Sequence, residues 1–462
     1  MDGRELVDDV LFVNAGRKFL RLGRPVDVNT VRREVASVES ELRAHGVRAG
    51  SVLAVRLPPS LASVCTLLAG WHAGAQVMLL DHRLTDHEVT RALERIRPRA
   101  LVSAASGFGG PLLGHHPVRT TIDTYPGRPA ESEHVLIQLS SGSTGPSKII
   151  GRTAAGLAAE LERYARIPGM PGRGERIVVL SSLIHTYGLI GGLLYGMHSG
   201  ADVVVPDQLT TNGILDAITS GPEPTTVLGV PVQLELLAAT GVNGRPPAQL
   251  VGAVSAGEVI RPEVPTAFAE RYGVPVGECY GMTEVGLIAM DMAGTHRPAV
   301  GPPAPGVEVR LDGDELLVAC AENPYLGTVD ESRWVDGWLH TRDAAAIDAS
   351  GVVRVLGRLD SQVNVGGTRV DLSEVEQTLA ELPEVIETVV VFDRKIEAYI
   401  ALRDPARLAD VEAELANRLA PFKRPRLNLV ARLPRTSSGK RRRDLPALRA
   451  CRTDPATSRT AS

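Results

Sequence analysis

An α/β fold with largely parallel sheets is what this sequence predicts, on two observations. Helical and strand patterns alternate up to about Pro298, and each strand is a short β-rich run ending in or beside Gly, Pro or Ser. Past Pro298 the texture changes to short strands and turns, which predicts a small antiparallel region and then a compact α/β segment after Asp360. At 462 residues the chain has length enough for two or three domains, each with a real core.

Apolar positions from Val28 to His45 recur at helical spacing and Gly46 supplies a stop, so this is a helix, and Ser51 to Leu57 a strand. Leu61 to Ala73 reads as a buried helix, Ala75 to Leu80 as a strand, Asp86 to Ile96 as an amphipathic helix and Ala100 to Ser103 as a strand. The strand series continues at Ile177–Leu180, Asp202–Pro206, Thr226–Val230 and Gln249–Ser255. Leu189 to Met197 is too short and glycine-rich to span a membrane and reads as a buried helix or loop. Val307–Leu311, Glu315–Val318 and Gly351–Leu356 form the antiparallel part, with Asp312-Gly313-Asp314 turning between the first two. Helices at Leu372–Leu382 and Leu408–Leu419, with strands at Val385–Phe392 and Glu397–Leu402, make the last segment. Residues 451–462, rich in Thr, Ser, Arg and Pro, read as a disordered tail.

Composition excludes several classes. With 44% hydrophobic and 23% charged residues the chain is ordinary globular material, and a net charge of −4 gives neither nucleic acid nor a membrane surface a broad attractive face. Cys65, Cys279, Cys320 and Cys451 form no Cys-x-x-Cys, so neither a zinc site nor a disulfide framework is suggested, and a reducing cytoplasm fits. The opening Met-Asp-Gly-Arg-Glu, with Asp8 and Asp9 behind it, is the wrong chemistry for a signal peptide, and no run of 18 apolar residues follows.

The chemistry starts at Ser140-Ser-Gly-Ser-Thr-Gly-Pro-Ser-Lys148, entered directly from the apolar run Val135–Leu139. Glycines let backbone N–H groups approach anionic oxygens, hydroxyls add short hydrogen bonds, and a lysine adds a mobile charge, so the loop suits phosphate. It is not the NTPase loop, because Lys148 follows Gly145 by three residues, and it lacks the third glycine of a dinucleotide turn. The same residues also favour plain turns. Of 50 basic residues only Lys18, Lys148, Lys395, Lys423 and Lys440 are lysine, and Lys148 and Lys440 sit in Gly/Ser-rich loops. Either a biased genome left five scattered survivors, or lysine stays where a compact ammonium is needed and a planar fork would not fit.

Further polar islands follow in order: Ser255-Ala-Gly-Glu258, Glu278-Cys-Tyr-Gly-Met-Thr-Glu284, Gly337-Trp-Leu-His-Thr-Arg-Asp343, Gly357-Arg-Leu-Asp360, Val363-Asn-Val-Gly-Gly-Thr-Arg369 and Arg435-Thr-Ser-Ser-Gly-Lys440. With the loop, this set resembles the adenylate-forming superfamily of acyl-CoA synthetases, aryl-acid ligases, peptide-synthetase adenylation domains and luciferases, from roughly Val28 to Leu448. The resemblance implies a large N-terminal domain, residues 1–359, of stacked, mainly parallel sheets with a small antiparallel region. It also implies a small mobile α+β C-terminal domain, residues 360–450, hinged at Asp360.

The resemblance implies ATP-dependent activation of an aryl or aliphatic carboxylic acid as acyl-AMP with magnesium, then transfer to the thiol of CoA or of a carrier protein's phosphopantetheine. Ser141, Gly142, Ser143, Thr144, Gly145 and Lys148 would hold the β- and γ-phosphates, with Thr144 and Glu284 on magnesium. Tyr280 would lay its ring on adenine, with Ser255, Gly257, Glu258, Cys279, Gly281 and Met282 around the nucleotide, and Thr283 would donate to the α-phosphate. Asp343 would accept the ribose hydroxyls and Arg358 reach ribose or phosphate, while Lys440 would be the catalytic cation and His185 stand at the mouth of the acyl pocket. His185 through Gly196, with Ser255–Gly257 and Gly281–Val285, would line that pocket, its glycines leaving room for the acid. For the second reaction Gly366 and Gly367 would border a thiol channel.

Departures from the pattern are Pro146 away from Lys148, Arg342 where glycine is common, and Asn364 where lysine is frequent. No aspartate near His185 in sequence could pair with an α-ammonium, which disfavours amino acid substrates. Arg441 to Arg443 read as a solvated basic face. An amine acceptor, another activated anion such as nitrite, or a nucleotide-binding protein without catalysis are the alternatives.

Overall fold

The computed structural model describes all residues except 15–19, 106–112, 141–147, 240–245, 258–259, 261, 328–330, 360–361, 435–442, 444 and 453–462. The chain forms two compact units, the first of residues 1–82, 95–139 and 149–359, the second of residues 83–94, 140–148 and 360–462.

Two large sheets organise the first unit. In one, Val276–Met282, Leu250–Ala256, Thr225–Gly229, Arg176–Val179, Asp202–Val205 and Leu20–Leu22 run parallel in that order, with Gly286–Asp291 and Arg24–Val26 as antiparallel edges. In the other, His134–Ser140, Gln76–Leu79, Val52–Arg56 and Ala100–Ala104 are parallel. Thr120–Thr124 closes one side, and Lys148–Thr153 and then Tyr325–Leu326 extend the other.

Strands buried on both faces explain the apolar runs in the sequence. Ile177 and Val179 face one hydrophobic core, while Val178 faces a second. The first core also takes Leu53, Val55, Val77 and Leu79 from the other sheet, so both sheets share it with helices Val28–Ala44, Leu61–His72 and Ala154–Ala165. Local chemistry starts those helices: the side chains of Asp27, Ser60 and Thr153 each accept an orphan backbone N–H of the first turn. Helices Thr211–Thr219, Pro231–Ala239 and Glu263–Tyr272 cover the second core.

The antiparallel region forms as predicted in class: Val309–Asp312, Glu315–Ala319, Trp338–Ile347 and Trp334–Val335 in order, with Val353–Arg358 also on Trp338–Ile347. The segment read as a buried helix or loop is a π-helix, Tyr187–Leu194, continuing into the helix Tyr195–Ser199. No helix among the described residues is long and apolar enough to cross a membrane.

The second unit holds a three-stranded sheet of Val385–Asp393, Lys395–Leu402 and Arg426–Leu429, backed by helices Leu372–Ala380 and Leu408–Arg418. Gly366 and Gly367, expected beside a thiol channel, join strands Gln362–Val365 and Thr368–Asp371 with φ of 57° and 84°, the geometry of a two-residue hairpin turn. Arg443 is not merely solvated: its guanidinium meets both oxygens of Glu376, at 2.7 and 3.0 Å. Cys451 and Arg452 do not belong to a disordered tail, since Arg452 bridges to Val430 and bonds Glu397 at 3.0 Å; the rest of that stretch lies outside the described residues.

Candidate active site

In open parallel sheets ligands bind beyond the carboxyl ends of the strands. Leu250–Ala256 and Val276–Met282 are parallel neighbours there, and the first ends in Ser255 and Gly257, the second in Tyr280, Gly281 and Met282. Ser255 is buried, and its hydroxyl has no hydrogen-bond partner among the described residues. Residues 283–285 then turn the chain into Gly286–Asp291, so Thr283 and Glu284 stand at the tip of a hairpin.

A buried ion pair secures the base of that hairpin. Glu160 lies on the apolar face of helix Ala154–Ala165, fully buried among Leu157, Leu161 and Tyr164. Its carboxylate takes Arg152 Nη2 at 2.5 Å and the backbone N–H of Leu287 at 3.0 Å. Gly286 has φ of 75°, and any Cβ there would run into the same carboxylate, which requires glycine.

Glu284 itself is 4% exposed. Tyr325 donates its hydroxyl to Glu284 Oε1 at 3.1 Å, and Arg333 Nε donates to that hydroxyl oxygen at 3.4 Å. Glu284 Oε2 is buried with no hydrogen-bond partner among the described residues. A buried, uncompensated carboxylate oxygen costs free energy, and a hard divalent cation is the partner its chemistry suits. The residue therefore fits a magnesium ligand.

Asp343 is 2% exposed, on strand Trp338–Ile347, and accepts the Tyr280 hydroxyl at 2.5 Å. The ring expected over adenine and the carboxylate expected on ribose are thus joined. Thr341 supports this strand from within, donating to Leu316 O at 2.7 Å and accepting Asp343 N–H at 3.0 Å. Arg342 has φ of 60°, which accounts for glycine being common there. Its backbone N–H donates to Glu315 Oε1 at 2.8 Å and its guanidinium lies 3.6 Å from Oε2. Arg358 stands opposite Asp343 in antiparallel register.

Cys279 points the other way along its strand, into the core. Burial pushes its thiol up to about 12, with the Tyr164 hydroxyl bonded to it. Only its backbone is left for a nucleotide. Lys148 opens strand Lys148–Thr153 and is buried. Ser141, Gly142, Ser143, Thr144, Gly145, Glu258, Asp360 and Lys440 lie outside the described residues.

His185 sits on a loop tied to the strand that leads into Ser140–Lys148: Gln138 donates to Ile184 O at 2.8 Å and accepts from Thr186 Oγ1 at 3.2 Å. Tyr187 donates to Val254 O at 3.2 Å, linking the loop to strand Leu250–Ala256. An aspartate does stand beside it: Asp81 Oδ2 is 4.0 Å from His185 Nε2, and Asp81 Oδ1 is 3.6 Å from His82 Nδ1. A carboxylate therefore does lie within reach of His185, brought there from the end of a distant strand, and amino acid substrates are not disfavoured on that ground. The glycines of the π-helix do not open space either. A Cβ on Gly191 would meet the Tyr164 hydroxyl at 2.8 Å and one on Gly192 the Val179 side chain at 2.8 Å, so both serve close packing.

Sequence reasoning missed Arg152, Glu160, Tyr325, Arg333 and Asp81. Glu160 alone left a local signal, a carboxylate inside an apolar helical stripe.

The profile of the family described as AMP-binding enzyme matches residues 27–322, and that of the AMP-binding enzyme C-terminal domain matches residues 374–440. The chain is 28% identical to 3-[(3aS,4S,7aS)-7a-methyl-1,5-dioxo-octahydro-1H-inden-4-yl]propanoyl:CoA ligase of Rhodococcus jostii (strain RHA1), over 88% of this chain and 90% of the relative. Its fold matches o-succinylbenzoate CoA synthetase from Bacillus subtilis at a TM-score of 0.81 with 22% identity, covering 95% of this chain and 96% of the other. It also matches an amide bond synthetase from Marinactinospora thermotolerans at 0.78 with 21% identity, covering 96% and 98%. The chain belongs to the AMP-binding, adenylate-forming enzyme family.

Proposed function

We propose that this protein is an AMP-forming acid–thiol ligase that activates a carboxylic acid with ATP and passes the acyl group to the thiol of CoA. The observation that carries this reading is the match of both family profiles along one chain, together with a named CoA ligase related over most of both lengths. A carrier protein's phosphopantetheine presents the same thiol and is the other acceptor of this class.

In the first reaction an oxygen of the acid's carboxylate attacks the α-phosphorus of ATP, the bond to the β-phosphate oxygen breaks, and pyrophosphate leaves. In the second the thiol sulfur attacks the acyl carbon, loses its proton, and AMP leaves. Charge develops on phosphate oxygens, so catalysis rests on donors placed in advance. Ser141 to Lys148 would hold the β- and γ-phosphates, Thr283 donate to the α-phosphate, and Lys440 supply the cation between carboxylate and α-phosphate. Tyr280 and Asp343, already joined at 2.5 Å, would take adenine and ribose as one unit. Glu284 and Thr144 would hold magnesium, which when bound neutralises phosphate charge. Ser255, Gly257 and Glu258 would edge the nucleotide and His185 the acid.

Two half-reactions test this. Wild type makes acyl-AMP from acid and ATP, and a thioester from supplied acyl-AMP and CoA. Lys440→Ala loses the first by about a hundredfold or more while keeping most of the second. Equal loss of both, or ADP as the product, refutes the reading.

A further inference from the structure

Arg333 is among the most deeply buried large side chains of the protein, at 2% exposure, yet nothing in the proposed reaction uses it. It ends a short helical turn, Glu331–Arg333, and reaches Tyr325, whose strand Tyr325–Leu326 is pinned antiparallel to Ile149 and Ile150. Burying a guanidinium costs free energy unless a specific arrangement compensates it. Part of that compensation runs through a hydroxyl to a carboxylate: Arg333 Nε donates to Tyr325 Oη at 3.4 Å, and Tyr325 Oη donates to Glu284 Oε1 at 3.1 Å.

We propose that Tyr325 and Arg333 are positioning residues that orient the Glu284 carboxylate for magnesium, an inference that rests on the assignment of Glu284 to the metal. Arg333 occupies a lone pair of the Tyr325 oxygen, so the hydroxyl hydrogen is turned toward Glu284. Oε1 is thereby engaged, carboxylate rotation is locked, and Oε2 is presented. Groups that orient a metal ligand from behind are commonly worth about 10–100-fold in metal affinity.

The test is calorimetric titration of ATP at graded magnesium concentrations, beside magnesium dependence of pyrophosphate exchange, for wild type, Tyr325→Phe, Arg333→Met, Arg333→Lys and Glu284→Gln. Tyr325→Phe raises the magnesium concentration needed for half-saturation roughly tenfold, more than it lowers kcat. Arg333→Met moves it the same way by a smaller factor, and Arg333→Lys, which keeps the charge, recovers part of that loss. ATP binding without magnesium stays as in wild type. If Tyr325→Phe lowers only thermal stability or kcat while Glu284→Gln shifts the magnesium dependence, the relay is wrong and the metal assignment stands. If Glu284→Gln leaves the magnesium dependence unchanged, both fall together.

Discussion

Asp343 and Glu284 are two carboxylates in similar straits, 2% and 4% exposed, each accepting a hydrogen bond from a tyrosine, and they are held in opposite ways. Tyr280, the partner of Asp343, is only half-buried and is itself expected to meet the ligand. Tyr325, the partner of Glu284, is buried at 7% exposure and faces only protein, with Arg333 behind it and the Arg152–Glu160 pair under the hairpin. One carboxylate is coupled sideways to another binding residue; the other is braced from behind. The lesson is that base and sugar recognition should vary together at the first, whereas the second should respond to the metal alone.

The largest way to break the contrast is to neutralise each carboxylate. Glu284→Gln should cut the pyrophosphate exchange rate at a fixed magnesium concentration by about a hundredfold or more and raise the magnesium needed for half-saturation. Asp343→Asn should instead appear in the KM for ATP, roughly tenfold, with magnesium dependence unmoved. A pattern in which both variants change the same constant would erase the distinction.

Tyr280→Phe sharpens it further. A hydrogen bond to a charged group is worth about 1.5–3 kcal/mol, so removing the one to Asp343 should raise the KM for ATP roughly tenfold while magnesium half-saturation holds. Steady-state kinetics at several magnesium concentrations decide this. The smallest effect belongs to Arg342→Gly, on the Asp343 strand. Relief of a left-handed φ is worth about 1 kcal/mol and the partly exposed guanidinium's contacts with Glu315 and Ser332 together contribute about as much, so urea unfolding should show a change of less than about 0.5 kcal/mol.

Local periodicity made much of the fold legible. The helix at Asp86–Ile96 has the predicted bounds, and Val28–Ala44, Val52–Arg56 and Asp202–Val205 fall within a residue or two of theirs. Trp338–Ile347 carries no apolar alternation in the sequence, although it is the longest strand of the five-stranded antiparallel sheet. Its inward positions are Leu339, Thr341, Asp343 and Ala345, so polar residues occupy the buried face and erase the apolar alternation that marks a strand. Strands that carry candidate site residues hide for that reason: Val276–Met282 carries Glu278 and Tyr280 in the same way.

The site divides along similar lines. Residues that would touch ligand stand in compact runs such as Tyr280–Glu284, and runs can be read. Residues that hold them do not: Tyr325 reaches Glu284 across 41 positions and Leu287 reaches Glu160 across 127. Nothing local distinguishes Arg333 from the 44 other arginines until its burial is seen.

The central claim is that the protein adenylates an acid, and exchange of radiolabelled pyrophosphate into ATP, without CoA, measures that step alone. Wild type should exchange only when a carboxylic acid from a panel of aryl and aliphatic candidates is present, and only with magnesium. Exchange in the absence of any acid, or none with every acid offered although ATP binds, would contradict the account.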